Sequence, residues 1–177
     1  VIFSNNSTSW GSFFYKPSEN ALVVNVSTKE APHREVLTYE FNEVGKNSTT
    51  ASLFWGKKTI PFKIDVPVTK IVTQDIKNKL QNQPGFNRQT WEQAATYLMN
   101  NGGDMNTALK WIDNAISGQF FSQKTFNNLS IKAQILNKLE RTAEAQKIMD
   151  EALPMGTVFE VHQYGRQLIA AGKKDKA

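Results

Sequence analysis

One phrase occurs three times in the second half of this chain, and a repeat limits a fold more than any single motif does. Gly103-Asp104-Met105-Asn106-Thr107-Ala108-Leu109 leads into Ile112 and Ala115-Ile116. Glu140-Arg141-Thr142-Ala143-Glu144-Ala145 leads into Met149 and Ala152-Leu153, and Gly172-Lys173-Lys174-Asp175-Lys176-Ala177 opens the phrase again. The equivalent alanines Ala108, Ala145 and Ala177 stand 37 and 32 residues apart. These spacings bracket the period of about 34 residues of a stacked helix pair. Such a pair cannot bury its apolar face alone, so neighbours stack into an array whose surface binds other molecules and seldom performs chemistry.

Apolar residues at helical spacing support that reading from residue 67 onward. Val68, Ile71, Val72, Ile76 and Leu80 form one stripe, ended by Pro84-Gly85. Trp91, Ala94, Ala95, Leu98 and Met99 form the next, stopped by Asn101-Gly102-Gly103. Asp104 caps a helix with Ala108, Trp111, Ile112 and Ala115 on its core face, and Gly118 breaks it. Phe126, Leu129, Ala133, Leu136 and Leu139 then pair with Ala145, Ile148, Met149 and Ala152. Val158, Val161, Tyr164, Leu168 and Ile169 make a last stripe, ended by Gly172. Alanines at inner positions let helices approach closely, and the period is that of tetratricopeptide (TPR) repeats.

Up to about residue 66 the apolar period is two instead. Leu22, Val24 and Val26 alternate with polar or outward positions, as do Leu37, Tyr39 and Phe41, then Ala51, Leu53 and Trp55, then Ile60, Phe62, Ile64 and Val66. Alternation predicts strands with one buried face. Turn signals separate them at Lys16-Pro17-Ser18-Glu19-Asn20, Ala31-Pro32-His33, Gly45-Lys46-Asn47-Ser48 and Gly56-Lys57-Lys58. Connections this short favour antiparallel neighbours, and Pro61 implies an edge position or a bulge. The sequence therefore predicts an α+β chain: an antiparallel β-sandwich or open-barrel fragment over residues 1–66, then a TPR-like α-helical array over residues 67–177. No Gly/Ser-rich linker divides the halves, so packing of one on the other is expected. Val1-Ile2-Phe3 reads as the end of a strand, which leads us to expect upstream sequence. A first strand without its neighbour would self-associate through its edge or keep a cleaved N-terminal fragment there.

Composition removes several function classes. With no cysteine in 177 residues, disulfides, thiolate metal sites and cysteine nucleophiles are all absent. No apolar run is long enough to span a bilayer. The net charge of +5 is spread over lysines such as Lys57, Lys63, Lys79, Lys110 and Lys147, without the focused patch that nucleic acid requires. His33 and His162 are the only histidines, and neither has carboxylates at metal-ligand spacing. No nucleophile-elbow, dinucleotide or P-loop sequence is present, and Asp104 after Gly102-Gly103 would repel phosphate. No catalytic, cofactor-binding or metal-ligating residue is therefore assigned.

Two sets of residues remain as binding candidates. Asn127, Asn128, Lys132, Gln163, Arg166 and Gln167 are polar positions on the inner helices, and an amide-and-cation ladder there suits a peptide or protein partner. A solvated helix face has the same composition. Trp10, Phe13, Phe14 and Tyr15 form an aromatic patch, read as strand residues facing both sides, for packing or for a sugar or peptide.

Three stretches together resemble the bacterial family catalogued as domain of unknown function 2911, known mainly from Bacteroidetes. They are Val1-Ile2-Phe3-Ser4-Asn5 with Trp10-Gly11 and Phe14-Tyr15, then Leu37-Thr38-Tyr39-Glu40-Phe41, then Leu53-Phe54-Trp55-Gly56-Lys57 with Ile60-Pro61-Phe62-Lys63-Ile64. The helical half, with Trp91-Glu92-Gln93-Ala94-Ala95 and Ala108 to Ile116, is similar to a C-terminal extension of such proteins. The resemblance implies export to the periplasm, cell surface or medium. It also implies a longer β-region with a Trp-Arg-Thr-Gly-Ala-Asn-Glu-like motif that this sequence lacks, so no functional residue carries over. The expected role is non-catalytic protein or peptide interaction through the repeats. The rival is a small-ligand or carbohydrate binder, or an enzyme, with its site in the β-domain.

Overall fold

The computed structural model describes residues 1–170 and 172; apart from Gly172, the third copy of the repeat phrase lies outside them. The chain divides into two compact units, Val1–Pro67 and Val68–Ala177. The first is β, the second helical, and the architecture is α+β. Among the described residues no helix is long and apolar enough to cross a membrane.

The β-unit holds two antiparallel ribbons of two strands each, not a closed barrel. Strand β1 (Ile2–Ser4) pairs with β2 (Asn20–Val23), and β3 (Lys29–Asn42) pairs with β4 (Ser48–Asp65). An edge-on contact between Phe3 and Phe62, 5.7 Å between ring centroids, ties β1 to β4. Two expected turns are instead irregularities inside long strands. Ala31-Pro32-His33 lies within β3 and Gly56-Lys57-Lys58 within β4, and Arg34 pairs with Gly56 where the register shifts. Gly56 has φ +58°, the left-handed conformation that lets a bulged strand continue past its extra residue. Arg34 bridges this region, pairing with Glu40 and lying 4.2 Å over the Phe54 ring.

The expectation of one continuously buried strand face is not met, since the buried Ala51 and Ser52 are consecutive and point to opposite faces. Tyr39 and Phe41 are 67% exposed and Trp55 is 70% exposed. Alternation sorts side chains onto faces; burial then requires a second layer, and a two-stranded ribbon supplies none. The segment from Trp10 to Tyr15 is a turn, not a strand. Gly11 and Phe14 both adopt positive φ there, outside the extended region that regular pairing needs, and no partner strand carries the chain past them.

The helical unit comprises α1 (Val68–Leu80), α2 (Arg88–Asn100), α3 (Met105–Ser117), α4 (Phe126–Lys138), α5 (Thr142–Ala152) and α6 (Val158–Ala170). Helices α2 and α3 pack as one pair and α4 and α5 as the next, while α3 and α2 both touch α4. The repeat positions explain this packing. Ala108, Ile112 and Ala115 on α3, and Ala145, Met149 and Ala152 on α5, are all at most 4% exposed. Trp111 is buried beside them, and Trp91 is half-buried against the same cluster. Gly85 shapes the entry to α2, because a Cβ there would sit 1.9 Å from the Leu80 carbonyl oxygen.

Caps fix where the helices start. The Asp104 carboxylate accepts from the backbone N–H groups of Asn106 and Thr107 and from the Thr107 hydroxyl. The Thr107 hydroxyl foremost, then these backbone bonds, holds the carboxyl below its ordinary range. Asp104→Ala should therefore destabilise the helical unit by about 1 kcal/mol near neutral pH. Because the folded-state pKa is lowered, the cap's contribution is present above the ordinary carboxylate pKa and fades as pH falls through the lowered one. Thermal melts of both proteins should differ near neutrality and converge as pH falls through the lowered Asp104 pKa; a constant gap at all pH values would refute the role.

Candidate functional site

Helical spacing places Gln89, Gln93, Thr96 and Asn100 on one face of α2, opposite its buried Ala94, Ala95 and Leu98. Asn127, Ile131 and Gln134 occupy the matching face of α4. The two faces enclose an open groove of about 770 Å³. A second depression of about 180 Å³ shares Asn127, Ile131 and Gln134 and is closed on its far side by Phe159, Gln163, Tyr164 and Gln167 of α6. Together they form one trough crossing α2, α4 and α6.

A buried carboxylate holds the trough's floor together. Glu92 is only 7% exposed. Its Oε1 accepts from Arg88 Nη1 at 2.7 Å and from Asn128 Nδ2 at 3.1 Å, and its Oε2 accepts from Asn127 Nδ2 at 3.1 Å. Arg88 also donates to the Thr125 hydroxyl at 3.3 Å. Both Glu92 oxygens are thus satisfied, and the network joins α2 to the start of α4. Asn128 is fully buried and reciprocally caps α4 with Thr125, each side chain accepting from the other's backbone N–H.

The walls are different, because their amides are uncommitted. Gln89, Gln93, Asn100, Gln134, Gln163 and Gln167 make no side-chain hydrogen bond among the described residues. Each carries two donors and an acceptor. Ser130 Oγ, between α4 and α6, is buried and likewise lacks a partner. The charged side chains lining the trough are Glu92 and Glu160, and Glu160 accepts from the Thr157 backbone and hydroxyl at the start of α6. Those bonds, the backbone one foremost, hold the Glu160 carboxyl below its usual range. Apart from Glu92, paired with Arg88, and the Glu160 carboxylate at the α6 end, the trough is lined by uncharged groups rich in donors and acceptors.

Of the residues singled out in the sequence, Asn127, Gln163 and Gln167 line the trough. Asn128 lies beneath it, committed to Glu92 and to the Gln123 carbonyl at 2.8 Å. Lys132 lines neither depression and pairs with Asp113 at 2.7 Å, and Arg166 is exposed outside both. In the β-unit Trp10 stacks on Phe13 at 5.5 Å, Phe14 is 94% exposed, and the Tyr15 hydroxyl bonds Asn20 Oδ1 at 3.0 Å. Sequence reasoning missed Gln89, Gln93, Asn100 and Gln134, although their helical spacing opposite an apolar stripe was visible. His33 and His162 are both exposed, and no group of three or more acidic or histidine side chains among the described residues is placed to hold a metal.

Residues 1–64 match the model of a family described as Protein of unknown function (DUF2911). The match covers nearly all of the β-unit, Val1–Pro67, and none of the helical unit. No curated protein and no solved structure matches the chain. The DUF2911 match ends at Ile64, so the trough lies outside it. Within the β-unit, an open depression of about 510 Å³ lies between the segment around Val26 and the β4 residues Ser52, Phe54 and Thr59. Thr59 Oγ1 is buried there without a hydrogen-bond partner.

Proposed function

We propose that this is a non-catalytic interaction protein whose TPR-like helical unit binds an extended peptide segment of a partner protein in the amide-lined trough. The observation that carries this reading is the set of uncommitted amides on α2, α4 and α6 facing one continuous trough. An extended peptide backbone offers alternating N–H and C=O groups, and a side-chain amide answers both at once. The half-buried Tyr97 and Tyr164 and the buried Ile131 supply apolar surface for the peptide's side chains. The resemblance to exported proteins supports work in the periplasm or at the cell surface, which cell fractionation of the source organism tests.

The test is selection of binding peptides from a random displayed library, followed by calorimetry with the selected peptide. Gln93→Ala combined with Gln134→Ala should weaken binding at least about tenfold, or about 1.4 kcal/mol. Since the contacting amides are uncharged and Glu160 is a single charge at one end, affinity should change little between about 0.05 and 0.5 M salt. A peptide whose affinity ignores the double substitution, or falls steeply with salt, would show that recognition lies elsewhere. A second reading places a small-ligand site in the β-unit, and the unpartnered Thr59 hydroxyl favours it. Thr59→Val should then abolish binding of that ligand while leaving the peptide isotherm unchanged.

A further inference from the structure

We propose a second binding site, for a neutral oligosaccharide, in an aromatic cavity at the junction of α1, α2 and the α3–α4 loop. The cavity measures about 340 Å³ and shares no lining residue with the trough. Phe86, Trp91 and Phe121 line it, and Phe120 stands against two of these rings at its edge. Trp91 stacks on Phe121 at 6.3 Å with the planes 7° apart, Phe86 stacks on Phe120 at 6.0 Å, and Phe120 meets Phe121 edge-on at 5.8 Å. Phe86 is 59% exposed and Phe120 83% exposed, so this cluster presents ring surface outward instead of filling the core.

The polar groups beside the rings determine which ligand fits. Gln81, Asn114 and Gln119 line the cavity with side-chain amides that bond nothing among the described residues. No ionisable side chain lines it. An anionic ligand finds no cation and a cationic one finds no carboxylate. A pyranose ring has an apolar C–H face for an aromatic ring, and its vicinal hydroxyls both donate and accept, as an amide does. A proline-rich peptide is the other ligand that aromatic grooves take. Its carbonyls only accept, so they would leave the amide oxygens unpaired. The Trp91 indole N–H, which could serve such carbonyls, already donates to the Gly85 carbonyl at 2.8 Å. A cavity of this size is at the lower end for small-molecule sites, room for about one or two sugar rings.

The experiment follows the Trp91 indole N–H resonance of the full chain, assigned with Trp91→Phe among the four tryptophans. Cellotetraose, maltotetraose and mannotetraose are titrated separately to about 10 mM, with decaproline as the competing class. At least one saccharide should shift that resonance saturably. Phe86→Ala and Gln119→Ala, both at exposed positions, should each weaken binding at least about tenfold with an unchanged melting temperature. Three results overturn the site: no saccharide shifts Trp91, decaproline binds in preference, or binding survives both substitutions. The peptide trough stands or falls separately, since Gln93→Ala with Gln134→Ala should leave the saccharide isotherm untouched.

Discussion

Replacing Glu92 by alanine should destabilise the helical unit by about 2–3 kcal/mol, one of the two largest single-residue effects expected in this chain. Glu92 is the buried hub through which α2 holds the start of α4. Its loss leaves the Arg88 guanidinium without its carboxylate and removes an acceptor from Asn127 and from the fully buried Asn128. Removing one partner of a buried ion pair typically costs about 3–5 kcal/mol, because the other charge remains uncompensated. Here the cost is smaller, because the Arg88 side chain is 23% exposed and can turn partly to water, and Asn128 keeps its bond to the Gln123 carbonyl. Glu92→Gln keeps the shape but turns an amide N–H₂ toward donors, so it should recover only part of the loss. Chemical denaturation measures both. A loss below about 0.5 kcal/mol for Glu92→Ala, typical of a surface position, would show that the network holds nothing together.

The network also shows which parts of the structure could be read from the sequence. Helices α2 to α5 were legible because their signals are local. The 3.6-residue period, the Asp104 cap and the alanine spacing each lie within a few turns of chain, and all six repeat positions on α3 and α5 are buried. The Glu92–Asn128 bond joins residues 36 apart in sequence. Thr125, three residues before Asn128, has the spacing of a cap, but nothing local shows that the Asn128 amide also reaches across to Glu92. Asn127, one position earlier, lines the trough for the same reason that Asn128 cannot, since successive residues on a helix point about 100° apart.

In the β-unit the limits are of another kind. Glycine and proline mark a turn or a bulge equally well, and the register of the partner strand decides between them. Gly56 faces Arg34 at a register shift, so β4 runs on as one strand where a hairpin turn was expected. Likewise, alternation placed Leu37, Tyr39 and Phe41 on one face without specifying what would cover it. They are 49%, 67% and 67% exposed. The same reasoning explains the trough. Its amides sit at exposed helical positions, where composition alone cannot separate a solvated face from a wall, and only the approach of α4 and α6 makes the difference.

Ala145→Phe should lower stability by about 1–3 kcal/mol, and more if α5 cannot shift. Ala145 is 1% exposed and packs within the cluster of Leu129, Ala133, Leu136 and Met149 between α4 and α5. A methyl group is all that this approach admits, and interiors at crystal-like density have no spare volume for a benzyl group. The added ring must either push the helices apart or adopt a strained rotamer. Ala143, two residues earlier on the same helix, is exposed and provides the matched control. Ala143→Phe makes the same change in size and in helix propensity without meeting the cluster, so it should alter stability by about 0.5 kcal/mol or less. For a helical unit near one hundred residues, each kcal/mol corresponds to roughly 4–8 °C in Tm. Ala145→Phe should therefore melt clearly below both the parent and Ala143→Phe. Equal melting temperatures for the two variants would mean that Ala145 does not face α4, and the equivalence of Ala108 with Ala145 would fail with it.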